Sequence, residues 1–386
     1  MDKHYISALV LLDFTKAFQS VDHEILLAKL KSNFKFKSAP VTWMRSYLTG
    51  RSQSIRCNDS RSPWAPLSCG VSQGTVLAPI LFAMYLNDLS QHIHHLNFHF
   101  YADDVQVYIS THPAQLINAI NLINSDLCRI NSWAIANGLQ INPNKSQCTL
   151  IGSKRIVSKL NLAEIPQIRV QNSPLLISKT VKNLGILFDT HFSWTDHVNQ
   201  VCKKAFAALH SLQRLKNILP SSIKSLLVQS LVLTQIDYCN GVYVNICNNE
   251  VRKLQRVENA CVRFIFNLKR YDHVSPYFQD LGWLDFSNRR TYHALVILFK
   301  VMLSKSPEYL LNRFCYVRDT HSFNTRSNRT TDLTIPVHKT NHFTNSFTLH
   351  SIRNWNEIPH EIRQSTSVQE FKKKLKEFFL RKRISK

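Results

Sequence analysis

The sequence predicts an α+β fold, with an antiparallel sheet backed by helices and then a largely helical unit. Three observations lead there. Strand-like apolar runs and a period-two hairpin mix with helical spacings up to about residue 190. From Trp194 onward the apolar residues recur mainly at three and four, the mark of helices. The chain has 386 residues, 44% hydrophobic and 10% aromatic, enough for more than one core. That composition, with only eight glycines, excludes a disordered or glycine-rich chain.

The elements follow in order. Ile6 to Asp13 (ISALVLLD) reads as a buried strand. Asp22 and Glu24 open a helix that buries Ile25, Leu26 and Leu30. Ser38-Ala39-Pro40 starts another, stopped near Gly50, which would bury Trp43, Met44, Tyr47 and Leu48. Residues 51–69 read as an exposed strand pair. A loop at 70–74 leads into a helix over about 76–92. Asn97 to Ser110 reads as a hairpin, with Phe98/Phe100 and Val105/Val107/Ile109 at period two and Ala102-Asp103-Asp104 as its turn. The clearest helix holds Leu116, Ile120, Ile123, Leu127, Ile130 and Ala134, and Asn137-Gly138 ends it. Cys148–Ile151 and Leu184–Phe188 are further strands. Helices are expected over about 195–218, 221–236, 249–267, 287–304 and 367–381, and a polar, loop-like stretch over 316–350.

Charge points to the partner. The 48 Lys and Arg outnumber the 25 Asp and Glu, a net of +23. From Val251 to Lys386 there are 25 basic and 11 acidic residues, a net of +14. Such an excess meets a polyanion, most often nucleic acid. No apolar run is long enough to span a bilayer, so no membrane partner is expected. The nine cysteines include no CxxC pair, so no zinc knuckle is visible, and the scattered set suits a reducing intracellular compartment. His92, His94, His95 and His99 straddle a helix end and a strand and read as a solvated loop rather than a metal site. The tail Lys372-Lys373-Lys374, Lys376 and Arg381-Lys382-Arg383 is open to two readings, a solvated helix face or a phosphate-contacting or nuclear-targeting segment.

The chemistry-bearing residues are carboxylates. Asp13 ends a buried strand, and Asp103 and Asp104 sit at the turn of an apolar hairpin. An Asp after a strand is ordinarily a turn former or helix cap, and Asp-Asp is ordinary turn chemistry. Gathered on one sheet edge, however, two or three carboxylates hold a pair of Mg²⁺ ions. Two ions roughly 3.5–4 Å apart clamp the attacking and leaving oxygens of an in-line phosphoryl displacement.

Five stretches together make a pattern. LLDFTKAFQSVDHEILLAKL (11–30), GVSQGTVLAPILFAMYLNDL (70–89), FYADD (100–104), NGLQINPNKSQCTLIG (137–152) and VKNLGILFD (181–189) resemble, in order and spacing, the catalytic blocks of reverse transcriptases of non-LTR retrotransposons. The resemblance is strong over residues 6–190. Beyond it, Val257–Leu268 and Arg353–Leu380 resemble the region that follows the polymerase in jockey-like and CR-type elements.

The resemblance implies a reverse-transcriptase palm over 1–190, a helical thumb-like region over 191–305 and a basic C-terminal region over 306–386. It implies an RNA-directed DNA polymerase that uses deoxynucleoside triphosphates, an RNA template, a DNA primer and two Mg²⁺ ions. Position by position, Asp13 and Asp103 become the principal metal ligands and Asp104 the accessory acid. Phe18 becomes the bulky residue beneath the sugar, Gln73 and Gly74 neighbours of the incoming nucleotide, Lys145 a cation at the pyrophosphate, and Leu184 and Gly185 the primer grip. Read without the resemblance, Phe18 is core, Lys145 a surface charge and Leu184-Gly185 part of a strand.

Departures are visible too. Gln19 stands where the family usually has Asp, Ser72 replaces Pro, Thr75 replaces Ser, Ala78 replaces Gly, and Asn183 replaces an aromatic residue. A fingers region and an endonuclease domain, expected upstream of the first block, have no counterpart here. That raises two expectations: weak polymerisation by this chain alone, and, as the alternative reading, an inactive truncated remnant that still binds nucleic acid. A group II intron maturase would need an RNA-splicing domain after the thumb, and none is recognisable.

Overall fold

Strand β1, Ile6–Leu12, apolar at every position but Ser7, owes that character to its place inside a four-stranded sheet. Its partners are β3 (Asp104–Thr111) on one side and β4 (Gln147–Ile151) on the other, both antiparallel. β2 (Asn97–Tyr101) completes the sheet as the hairpin partner of β3. This computed structural model describes residues 4–161, 163–244, 246–320 and 331–384. The chain divides into two units. One runs to Gly185 and adds Asp189–His191, and the other comprises Ile186–Phe188 and the residues from Phe192 on.

In the first unit, helix α1 (His23–Ser32) starts at Asp22, whose carboxylate accepts the Ile25 N–H at 2.9 Å, as an N-cap does. Helices α2 (Ser38–Leu48), α3 (Leu77–Leu86) and α4 (Leu116–Ala136) follow. Helix α4 buries Leu116, Ile120, Ile123, Leu127, Ile130 and Ala134, the stripe read from the sequence, in one core with Ile6, Ala8, Val10 and Leu12 of β1. Gly138, at φ +65°, ends it.

Several details differ from the sequence reading. Helix α2 buries Leu48 and packs Met44 and Tyr47 against the core, but Trp43 is 58% exposed and stacks on Tyr47, because its face of α2 is left open among the described residues. The helix expected to reach 92 tightens into a 3₁₀ turn over Asn87–His92. Leu184 and Gly185 both have left-handed backbone, φ +45° and +82°, so they form a turn and the strand begins at Ile186. A short hairpin, Ile168–Val170 with Ser173–Leu175, was not expected.

The second unit is helical. Its main helices are α5 (Thr195–Gln213), α6 (Asn248–Ile265), α7 (Phe286–Ser304), α8 (Phe347–Glu357) and α9 (Val368–Ile384). Between α5 and α6, residues 221–237 form one helix with a π segment at Gln229–Leu233. Helix α8 corrects the loop-like reading of 316–350: Ser346 caps it, and Leu349, Ile352 and Trp355 are buried at spacings of three. Within that stretch, 321–330 lie outside the described residues. No helix among the described residues is long and apolar enough to cross a membrane.

Candidate active site

The sheet register brings the carboxylates to one end. Leu12 pairs with Val105, and Leu11 with both Gln106 and Gln147. Asp13 therefore leaves β1 beside Asp104, the first residue of β3, and beside Lys145-Ser146, which lead into β4. The turn between β2 and β3 is Ala102-Asp103 alone, since Asp104 already pairs with Tyr101 in the ladder. Ala102 sits at φ +52°, a left-handed conformation that costs a residue with a Cβ about 1–2 kcal/mol.

Backbone contacts fix Asp13. Its N–H donates to Ser146 Oγ at 3.2 Å, and its carbonyl accepts the Asn142 N–H at 2.7 Å. The Ser146 hydroxyl in turn donates to the Asn142 carbonyl at 2.8 Å. The Asn142 side chain accepts the N–H groups of Asn144 and Lys145, at 3.1 and 3.3 Å, an Asx turn that sets where Lys145 leaves the chain. Sequence reasoning missed Asn142 and Ser146. Their only signal was the turn composition of Asn142-Pro143-Asn144.

The electrostatics are short of positive charge. Asp13 Oδ2 is enclosed and accepts no hydrogen bond, while Lys145 Nζ stands 4.0 Å from it. Burial lifts the Asp13 carboxyl above its ordinary pKa; Lys145 opposes that and Asp103 adds to it. Asp104 is raised by burial, then by Asp103 and Asp13. Carboxylates that disfavour one another's ionisation in this way are relieved by a bound cation. An orphaned carboxylate oxygen among all-oxygen donors fits a hard divalent ion such as Mg²⁺. As they stand, no three His, Cys, Asp or Glu among the described residues are close enough to enclose a metal.

The second block is laid onto the first. Val71 N–H donates to the Phe18 carbonyl at 2.8 Å, and Gly70 N–H to the Val21 carbonyl at 2.7 Å. Gly70 has φ +92°, and a Cβ there would lie 2.8 Å from the Gln19 carbonyl oxygen, so only glycine allows this approach. Phe18 is half-buried and stacked on Phe82 with ring centroids 4.5 Å apart. Gln73 is exposed and lines, with Lys16, Gln19, Gly70 and Ser72, a cleft of about 830 Å³. Gly74 is exposed beside it at φ +83°. The turn at Leu184-Gly185 follows Asn183, whose side-chain oxygen accepts from Gln106 of β3 at 3.0 Å.

A family profile described as reverse transcriptase (RNA-dependent DNA polymerase) matches residues 2–188, the segment that contains every one of these groups. Residues 2–188 are a reverse transcriptase domain. Its relatives are polymerases of non-LTR retrotransposons. The chain is 25% identical over 287 residues to a probable RNA-directed DNA polymerase from transposon X-element of Drosophila melanogaster, covering 72% of this chain and 30% of that protein. It is 22% identical over 275 residues to the RNA-directed DNA polymerase from mobile element jockey of Drosophila funebris, covering 69% and 29%. The chain thus spans about 30% of the length of the curated relatives it matches. Among solved structures, a telomerase from Candida albicans gives a TM-score of 0.35 at 10% identity, over 72% of this chain and 46% of that one.

The histidine-rich loop of the reverse transcriptase domain has a structural explanation. The backbone N–H groups of His94, His95 and Leu96 all donate to Asp126 Oδ2, at 3.1, 2.8 and 3.2 Å, and Arg129 holds the other oxygen at 2.7 Å. Asp126 is fully buried. The side chains of His92, His94, His95 and His99 remain exposed around this anchor.

Proposed function

We propose that this chain is the polymerase portion of a non-LTR retrotransposon protein, extending a DNA primer on an RNA template with deoxynucleoside triphosphates. The observation that supports it most is the sheet register, which brings Asp13, Asp103 and Asp104 to one sheet end, with Asp13 Oδ2 enclosed and accepting no hydrogen bond. Asp13 and Asp103 would hold the ions, and Asp104 would supply further negative charge beside them. Bound there, two divalent ions supply the electrostatic clamp on the attacking and leaving oxygens. Lys145, 4.0 Å from Asp13, would shift toward the pyrophosphate and donate a proton to it. The Phe18 ring, held by Phe82, is the block that would exclude a 2′-hydroxyl, and Gln73, which lines the cleft, with Gly74 next to it would lie along the incoming nucleotide. Leu184-Gly185 is proposed as the primer grip, 191–305 as the thumb-like region and 306–386 as the basic region that contacts nucleic acid.

The test is primer extension by the purified chain in Mg²⁺ on an RNA template with an annealed DNA primer. Phosphoryl transfer rests on positioning and charge stabilisation, and loss of one preorganised group costs about a hundredfold to a thousandfold. Asp103→Ala is expected to lower extension by at least about a hundredfold relative to the unaltered chain. A ratio near one, with extension by the unaltered chain above background, overturns the assignment.

A further inference from the structure

In the helical unit, where α5 and α6 both end, lies a pocket of about 330 Å³ lined by Gln213, Lys216, Arg263, Phe264, Leu268 and Arg270 among others. Three of these side chains are cations. Behind Phe264 lies a fourth, Lys224, only 2% exposed, whose ammonium donates to Asn267 Oδ1 at 2.9 Å and sits 5.7 Å from the Phe264 ring centre. Among the described residues, none of the four pairs with a carboxylate. Arg263 Nε is enclosed and has no hydrogen-bond partner; its Nη2 reaches only the Asp272 carbonyl at 3.3 Å. Cations near helix C-termini offset the partial negative charge there, but that effect is confined to the last turn. It accounts for Arg263, which lies in the last turn of α6, and not for Lys224, Lys216 and Arg270 as well. Beside the pocket the Arg270 guanidinium lies 5.7 Å from the Tyr271 ring centre, and Tyr271 is 88% exposed.

We infer that this pocket binds a phosphodiester of an unpaired nucleic-acid strand, with an adjacent base stacked on the open face of Tyr271. Unpaired arginines and lysines at a half-enclosed site hold phosphate oxygens by charge-assisted hydrogen bonds, and the Arg263 guanidinium, tied to no carboxylate, is free to serve as one of them. A neighbouring exposed ring that already carries a guanidinium supplies the stacking platform of single-strand binding. The free ring face and the single small pocket favour a flexible strand over a duplex, whose stacked bases cannot reach Tyr271. The inference rests on the polymerase reading for its partner and adds where the strand is held.

The experiment is fluorescence anisotropy of a short labelled single-stranded RNA against the full chain across a range of salt, without divalent metal or nucleotide. A failure of the polymerase reading then shows in primer extension and not here. Lys216→Gln/Arg263→Gln/Arg270→Gln is expected to bind about tenfold more weakly or worse, with a salt slope smaller by about 0.7 for each phosphate no longer neutralised. Tyr271→Ala is expected to bind about fivefold more weakly. Lys154→Gln/Arg155→Gln/Lys159→Gln, exposed residues of the other unit, removes the same charge and is expected to bind more tightly than the pocket variant. Lys216→Gln/Arg270→Gln keeps the enclosed Arg263 and repeats the test if the triple variant melts early. Pocket variants that bind like the unaltered chain, an equal loss in the control, or no binding by the unaltered chain would each overturn the inference.

Discussion

Asp13 and Glu258 are both carboxyl groups that burial holds above their ordinary range, yet their surroundings give them different consequences. Asp13 keeps one oxygen enclosed beside Lys145 at a sheet end shared with two further acids, so it can be discharged by a cation. Glu258, on α6, is 1% exposed, and both its oxygens are enclosed. Burial pushes its pKa up to about 8; Arg289 opposes this, and Asp237 and Asp285 reinforce it. Glu258 therefore keeps its proton at neutral pH. A carboxyl whose folded pKa is raised favours the fold fully below its unfolded value, near 4.5, and loses that contribution as pH climbs to about 8. Glu258→Gln removes the titration. Compared with the unaltered chain, it is expected to gain relative stability between pH 5 and 8, by roughly 1.4 kcal/mol per pH unit at most. Urea unfolding of both chains at several pH values checks this, and a difference that stays constant with pH would contradict it.

At the scale of elements, what the sequence showed and what it hid have separate physical causes. Strand β1 was legible as an apolar run buried inside the sheet, β3 by the period-two pair Val105 and Val107 that it buries, and α4 by its stripe at spacings of three and four, whereas the expected Phe98/Phe100 face of β2 stays largely exposed. The acids were legible because they stand where those strands end. The contacts that hold Asp13 were not, since Ser146 Oγ and the Asn142 N–H meet it only once β1 and β4 have paired. Trp43 looked like core on helical spacing, but among the described residues its side of α2 is left exposed. Helix α8 was hidden by Thr348, His350, Ser351 and Asn354, whose polarity masks Leu349, Ile352 and Trp355. Trp355 is 2% exposed, stacks with Phe371 at 6.0 Å and donates Nε1–H to the Thr331 carbonyl at 2.9 Å. Trp355→Ala is expected to cost about 3–5 kcal/mol, the range for deleting a large buried ring. Chemical denaturation measures it, and a loss below about 1 kcal/mol would mean α8 does not pack as described.

Across the whole molecule, charge is distributed to match a polyanion, with +14 of the +23 lying beyond residue 250. Helix α9 adds Lys372, Lys373 and Lys376, all exposed, whereas Lys374 is tied to Glu370 at 2.6 Å and contributes less. Each phosphate neutralised releases condensed counterion, so affinity for RNA or DNA should fall steeply with salt. Lys372→Gln/Lys373→Gln/Lys376→Gln is expected to flatten that slope by about 0.7–0.9 for each phosphate left without its lysine, whereas Lys374→Gln should change it little. An unchanged slope in the triple variant would remove α9 from the binding surface. Binding of divalent metal by Asp13 and Asp103 together is measured by loading the chain with Fe²⁺, adding hydrogen peroxide and ascorbate, and mapping where the hydroxyl radicals formed at the iron cut the backbone. Cuts next to Asp13 and at Asp103–Asp104 that compete away with Mg²⁺ and disappear in Asp103→Asn are the predicted result. No localised cutting, or cutting confined to the His92–His99 loop, would contradict it.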